Sequence, residues 1–188
     1  MGNRHKLAGN ITSRCYLSPM QNYIWAEQFK QVYDAAVLRY NNATQSAKDL
    51  FSKEEVEFLA SIGCSAQELF DFVEDFCRGG EPIYSDVLLV TAVRRDYFLN
   101  VQHGKPSGKV IDSATLPAKS APLGGIPWLP RIIEKAKAKL RGEMPPELMY
   151  GCGGDRPFLR GVNIHLADFL RFVWQVDGDQ QKVLTYVN

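Results

Sequence analysis

Phe58-Leu59-Ala60-Ser61-Ile62-Gly63-Cys64-Ser65-Ala66-Gln67-Glu68-Leu69-Phe70-Asp71-Phe72-Val73 is the stretch whose reading decides the fold. With Val56 just before them, Phe58 and Leu59 mark a short helix, and Gly63 stops the run. Ser65-Ala66-Gln67-Glu68 then spells a capping box. The Ser65 hydroxyl accepts from the amide three residues on, and the Glu68 carboxylate reaches back to the Ser65 amide. Leu69, Phe70, Phe72, Val73 and Phe76 give the helix so started its apolar face, and Gly79-Gly80 ends it. The unit is a short helix, a turn and a capped amphipathic helix.

The pattern returns later in the chain. Phe158-Leu159-Arg160-Gly161-Val162-Asn163 leads into His165-Leu166-Ala167-Asp168-Phe169-Leu170-Arg171-Phe172-Val173, each residue 100 positions after its counterpart. Phe58, Leu59, Phe72 and Val73 are matched by identical residues. Ile62/Val162, Glu68/Asp168, Leu69/Phe169 and Phe70/Leu170 match in kind. A duplication would explain this as two pseudo-symmetric halves. One packing solution used twice would explain it equally.

The segments around these pairs are helical too. Ser18-Pro19 reads as N-cap and first turn of a helix carrying Trp25, Phe29, Val32, Tyr33, Ala36, Val37 and Tyr40, ended by Asn41-Asn42. Ser52-Lys53-Glu54-Glu55 is another capping box, opening the short helix that reaches Gly63. Asp86 to Gln102 is nearly all apolar and free of Gly and Pro, a length that favours a buried helix over a strand. Pro130 suits the first turn of a helix with Ile132, Ile133, Ala136 and Leu140, ending at Gly142. Asp155 reads as an N-cap with Pro157 just inside, and Asp179 as the cap of a last helix. The expectation is an all-α, compact bundle of about seven or eight helices. Residues 18–188 form its single domain, with a flexible arm at 1–17 and a long Gly/Pro loop at 102–129.

The 188 residues carry 22 Lys plus Arg against 21 Asp plus Glu, a net charge of +1. No broad basic field marks a nucleic-acid binder. No apolar run reaches the roughly 18 residues of a membrane span, and the N-terminus lacks a signal peptide's apolar core. Neither nucleic acid nor membrane is therefore an expected partner. Cys15, Cys64, Cys77 and Cys152 form no C-x-x-C pair, so they read as free thiols in a cytoplasmic, reducing compartment, with no metal expected.

Leu123-Gly124-Gly125-Ile126-Pro127-Trp128-Leu129-Pro130-Arg131, then Lys135-Ala136-Lys137-Ala138, then Tyr150-Gly151-Cys152 and Asp155, form an ordered signature. Over about Leu123 to Val187 the chain resembles a small bacterial domain-of-unknown-function family. In that family Gly-Gly and Leu-Pro-Arg precede a basic helix and a Tyr-Gly-Cys turn. This chain departs from the pattern in placing Gly153-Gly154 between the cysteine and the aspartate. The resemblance implies a helical bacterial cytosolic protein and no activity, cofactor or catalytic residue.

The candidate chemistry gathers at Tyr150-Gly151-Cys152-Gly153-Gly154-Asp155-Arg156. Cys152 stands just before an expected helix N-terminus, where amides would stabilise a thiolate. Gly153 and Gly154 permit close approach of a ligand to the backbone. Arg156 and Arg131 offer charge-assisted bonds to a carboxylate or phosphate. A cysteine nucleophile would need a base, and His103 and His165 are the candidates. Arg94-Arg95 interrupt the most apolar helix, so at least one faces inward toward a carboxylate (Asp96, Asp155 or Asp168) or a ligand. Trp128 and Tyr150 are candidate pocket walls. Asp71, Glu74 and Asp75 share one helix face, and Arg131, Lys135 and Lys139 share another; both read as solvated.

Three functions remain open on this reading. The favoured one is a pocket for a small, anionic molecule between the halves, lidded by the loop. The others are a protein–protein interaction module, a homodimer included, and a cysteine-dependent enzyme using Cys152. The sequence names no cofactor.

Overall fold

The computed structural model describes residues 19–42 and 46–188. The arm at 1–17 and the Ser18 cap lie outside them. In chain order the elements are α1 (Pro19–Asn41), α2 (Ala47–Leu50), α3 (Lys53–Ser61), α4 (Ala66–Gly79) and α5 (Tyr84–Asn100). A two-residue hairpin, β1 (Pro122–Leu123) and β2 (Ile126–Pro127), comes next. Then follow α6 (Leu129–Arg141), α7 (Asp155–Gly161), α8 (Leu166–Gln175) and α9 (Gln180–Val187). The architecture is the expected all-α bundle. The four-residue α2 and the short hairpin are elements that the apolar spacing does not announce.

Both capping boxes form. Ser52 and Ser65 accept from the Glu55 and Glu68 amides, and each glutamate returns to its serine N–H at 2.7 and 2.9 Å. The two helix pairs also share one turn. Ile62 (φ −101°, ψ 8°) and Val162 (φ −100°, ψ 10°) end their helices alike. Gly63 and Asn163 follow at φ 73° and 55°. The next amides, Cys64 and Ile164, donate to the Leu59 and Leu159 carbonyls at 3.0 and 2.9 Å. A Cβ on Gly63 would lie 2.6 Å from Phe98, so this copy of the turn requires glycine.

The same turn occurs a third time between α8 and α9. Val176 has φ −100° and ψ 10°, Asp177 has φ 51°, and the Gly178 amide donates to Val173 O at 2.8 Å. Asp179 then caps α9 through the Gln181 and Lys182 amides. This third use has no partner 100 residues away, because α4 runs on to Gly79. The turn is thus a local solution that the chain uses three times.

The buried residues form one apolar core. α1 packs on α4, and α5 packs on both α6 and α8. The 102–129 segment is pinned rather than loose. Gln102 donates to Arg141 O, Ser107 and the Ile111 amide bond Glu143, and the Trp128 amide bonds Lys119 O. It forms a wall where a lid is the sequence expectation.

Candidate functional site

The site is built outward from α6. Lys135 and Lys139 lie on the face of α6 that packs into the bundle, and each is 2% exposed. This corrects the solvated basic stripe. Both stand in the same helical register as Ile132, Ala136 and Leu140, and a buried ammonium persists only with a carboxylate beside it. Lys139 Nζ donates to Glu68 Oε1 at 3.0 Å. Burial favours the neutral acid at Glu68. Lys139, the Ser65 amide and Arg94 outweigh it and hold the carboxyl below its usual range.

Lys135 pairs with Asp155, which is wholly buried. The carboxylate also accepts from Trp128 Nε1 and the Gly151 amide, each at 2.9 Å. Three donors, one of them charged, satisfy the buried anion. Asp155 is consequently not the N-cap that the sequence suggests. Gly154 holds that position with no side-chain bond, and Asp155 is the first residue of α7 with its carboxylate turned inward.

Trp128 completes this arrangement at a conformational cost. It has φ 69° and ψ −30°, a region bulky residues rarely enter. Its indole lies so close to Gly154 that a Cβ there would be 2.4 Å from the ring. The glycine is thus required by the tryptophan.

Above the Lys135–Asp155 pair opens a cleft of about 590 Å³. Trp128, Arg131, Cys152, Gly153 and Gly154 line it, as the sequence suggests, together with Lys119 and residues 146–149. Asp71, Glu74 and Asp75 form the opposing wall and are half-buried, correcting the solvated acidic face. Asp75 is paired with Arg156 at 2.8 Å, and Glu74 with Arg78 at 3.0 Å. Asp71 takes a hydrogen bond from Gln67 at 2.7 Å, and burial pushes its carboxyl up to about 6.

Other candidates stand elsewhere. Arg156 bonds Asp75 and the Gly151 carbonyl, and lines a second hollow of about 390 Å³ with Glu81, Asp86 and His165. His165 caps α8 through Nδ1, and its Nε2 faces Asp86 at 3.2 Å. His103 is exposed in the turn after α5. Cys152 Sγ therefore has Lys135 Nζ as its polar neighbour, at 3.2 Å, and no histidine among the described residues. Tyr150 is core: its hydroxyl donates to Leu166 O.

Arg94 and Arg95 are both buried. Arg94 donates to Gln102, and Arg95 donates to Asn22 with its guanidinium over Trp25. Burial draws both guanidinium groups down, Glu68 opposing it for Arg94 and Asp96 for Arg95. Neither lines the cleft, and Asp155 and Asp168 are paired instead with Lys135 and Arg171. Among the described residues, no group of three His, Cys, Asp or Glu could hold a metal ion, and no helix is long and apolar enough to cross a membrane.

Sequence reasoning missed Lys135 and Asp71. The available signal for the lysine was its place three residues after Ile132, inside the apolar register. Compared with protein-family models, curated proteins and solved structures, the chain has no significant match, so the family resemblance over Leu123 to Val187 rests on its own motif residues.

Proposed function

We propose that the protein binds a small anionic molecule in the cleft between α4, α6 and the 146–154 segment. One observation carries this reading. Lys135 is neutralised by Asp155, whereas Arg131 and Lys119 meet no carboxylate among the described residues. Arg131 spends one donor on Pro117 O at 2.8 Å, which leaves the rest of its fork for a carboxylate or phosphate. Lys119 Nζ sits 5.8 Å from the Trp128 ring centre, at the same wall. The free thiols of Cys64, Cys77 and Cys152 suit a reducing bacterial cytoplasm.

Native mass spectrometry of the gently purified protein tests this. The expected result is a retained small-molecule adduct that Lys119→Glu/Arg131→Glu abolishes. An adduct-free wild type that also ignores added phosphate and dicarboxylates would refute it.

A cysteine-dependent enzyme is the second reading, favoured by the contact of Lys135 Nζ with Cys152 Sγ. Stoichiometric alkylation of Cys152 at neutral pH, ahead of the buried Cys64, would support it. Burial pushes the Cys64 thiol up to about 12, so that residue should stay inert in the native protein.

A further inference from the structure

We infer that the ligand of this cleft is zwitterionic, with its acid group on Arg131 and Lys119 and its ammonium on Asp71. This rests on the anion-binding reading and specifies it. The argument comes from the charges of the cleft taken pair by pair. Lys135 has Asp155, Asp75 has Arg156, and Glu74 has Arg78 while accepting from the Tyr40 hydroxyl at 3.2 Å. Four charges of the wall are left over, one of them Glu147, which is exposed and solvated by bulk water. Arg131 and Lys119 have no ion-pair partner among the described residues, and neither does Asp71, whose one side-chain bond is from Gln67.

Asp71 is the informative one. A half-buried carboxylate with a single neutral donor is costly to keep ionised, because water is partly removed and no cation stands in ion-pair contact with it. An anion alone in this cleft would satisfy Arg131 and be repelled by Asp71. A ligand with an ammonium at its other end would remove the repulsion and supply the missing countercharge. Burial is the largest influence on Asp71. Gln67 and Lys139 of α6 oppose it, and Glu68 and Glu74 on its own helix add to it. The carboxyl is raised to about 6 as a result, so the ammonium contact should weaken as pH falls through that value.

NMR titrations of the ¹⁵N-labelled full chain test the assignment. The probes are γ-aminobutyrate, ε-aminocaproate and phosphoethanolamine, beside butyrate, hexanoate and inorganic phosphate as matched anions. At pH 7.5 at least one zwitterion should bind about tenfold more tightly than its matched anion, shifting amides near both Asp71 and Arg131. Asp71→Asn should bring that zwitterion down to the level of the anion, and so should lowering the pH to 5. Anions binding as tightly as every zwitterion, or an advantage that survives Asp71→Asn, would overturn the inference while leaving anion binding intact. Binding by none of the probes would overturn both.

Discussion

Lys135 and Lys139 lie one turn apart on α6, equally buried, and each is paired with a carboxylate from another helix. Their partners do different work. Glu68 spends one oxygen on the Ser65 amide and the other on Lys139, so it joins the start of α4 to α6. Lys139 Nζ also lies 5.5 Å from the Phe72 ring centre, inside the α4–α6 contact. Asp155 instead gathers the Trp128 indole, the Gly151 amide and Lys135, and these shape the rim of an open cleft. A buried pair whose spare lone pairs serve a helix cap is a fastening. One whose spare lone pairs hold a strained tryptophan and a glycine turn is scaffolding for the cleft.

The largest effect should come from Asp155→Ala. It strands a buried ammonium, an indole N–H and an amide together, and should cost about 4 kcal/mol in urea unfolding, within the range for breaking buried pairs. Glu68→Ala should cost less, about 2–3 kcal/mol, because Lys139 keeps some compensation from Asp71 and the Ser65 amide can turn to water. The Glu68 contribution should also depend on pH in a set direction. Its folded carboxyl titrates below the unfolded one, so the stabilisation is complete above the unfolded value and disappears as pH falls through the folded one. Equal costs for the two variants would erase the distinction between fastening and scaffold.

Gly154→Ala comes next. Its Cβ must displace the Trp128 ring, at a cost of about 1–3 kcal/mol, and a changed Trp128 fluorescence should report the movement. The smallest effect has the opposite sign. Asp71→Asn should stabilise the protein by about 1–2 kcal/mol at pH 8, a figure already reduced for partial exposure. Asp71 titrates higher when folded than unfolded. The gain should therefore shrink as pH falls from about 6 toward 4, and melting curves at pH 8 and pH 4 would show it. A destabilised Asp71→Asn protein would mean that the carboxylate is structural.

Much of the fold was legible in the sequence because it rests on local rules. Ser52-x-x-Glu55 and Ser65-x-x-Glu68 announce helix starts, and Gly63 and Gly142 announce ends, through contacts a few residues long. The glycine turn was legible as a break in the helices for the same reason, and Gly153, Gly154 and Cys152 line the cleft. The opposing wall was not legible. Asp71 and Arg131 come to line one cleft only once the bundle has folded, and no local pattern records that. Asp155 misled for a related reason: its position suits a cap, but Lys135, twenty residues earlier, offers its carboxylate a charged partner in the interior. Lys139 and Lys135 misled because charge argues for solvent, whereas their register with Ile132 argues for the core.

Native mass spectrometry of Lys135→Met beside Lys139→Met, both checked for helical content, tests the central contrast most directly. The two variants should lose comparable stability. Lys139→Met should retain the small-molecule adduct of the wild type, and Lys135→Met should lose it. An adduct absent from the wild type, or lost equally from both variants, would contradict the assignment of the cleft to Lys135, Asp155 and the glycine turn.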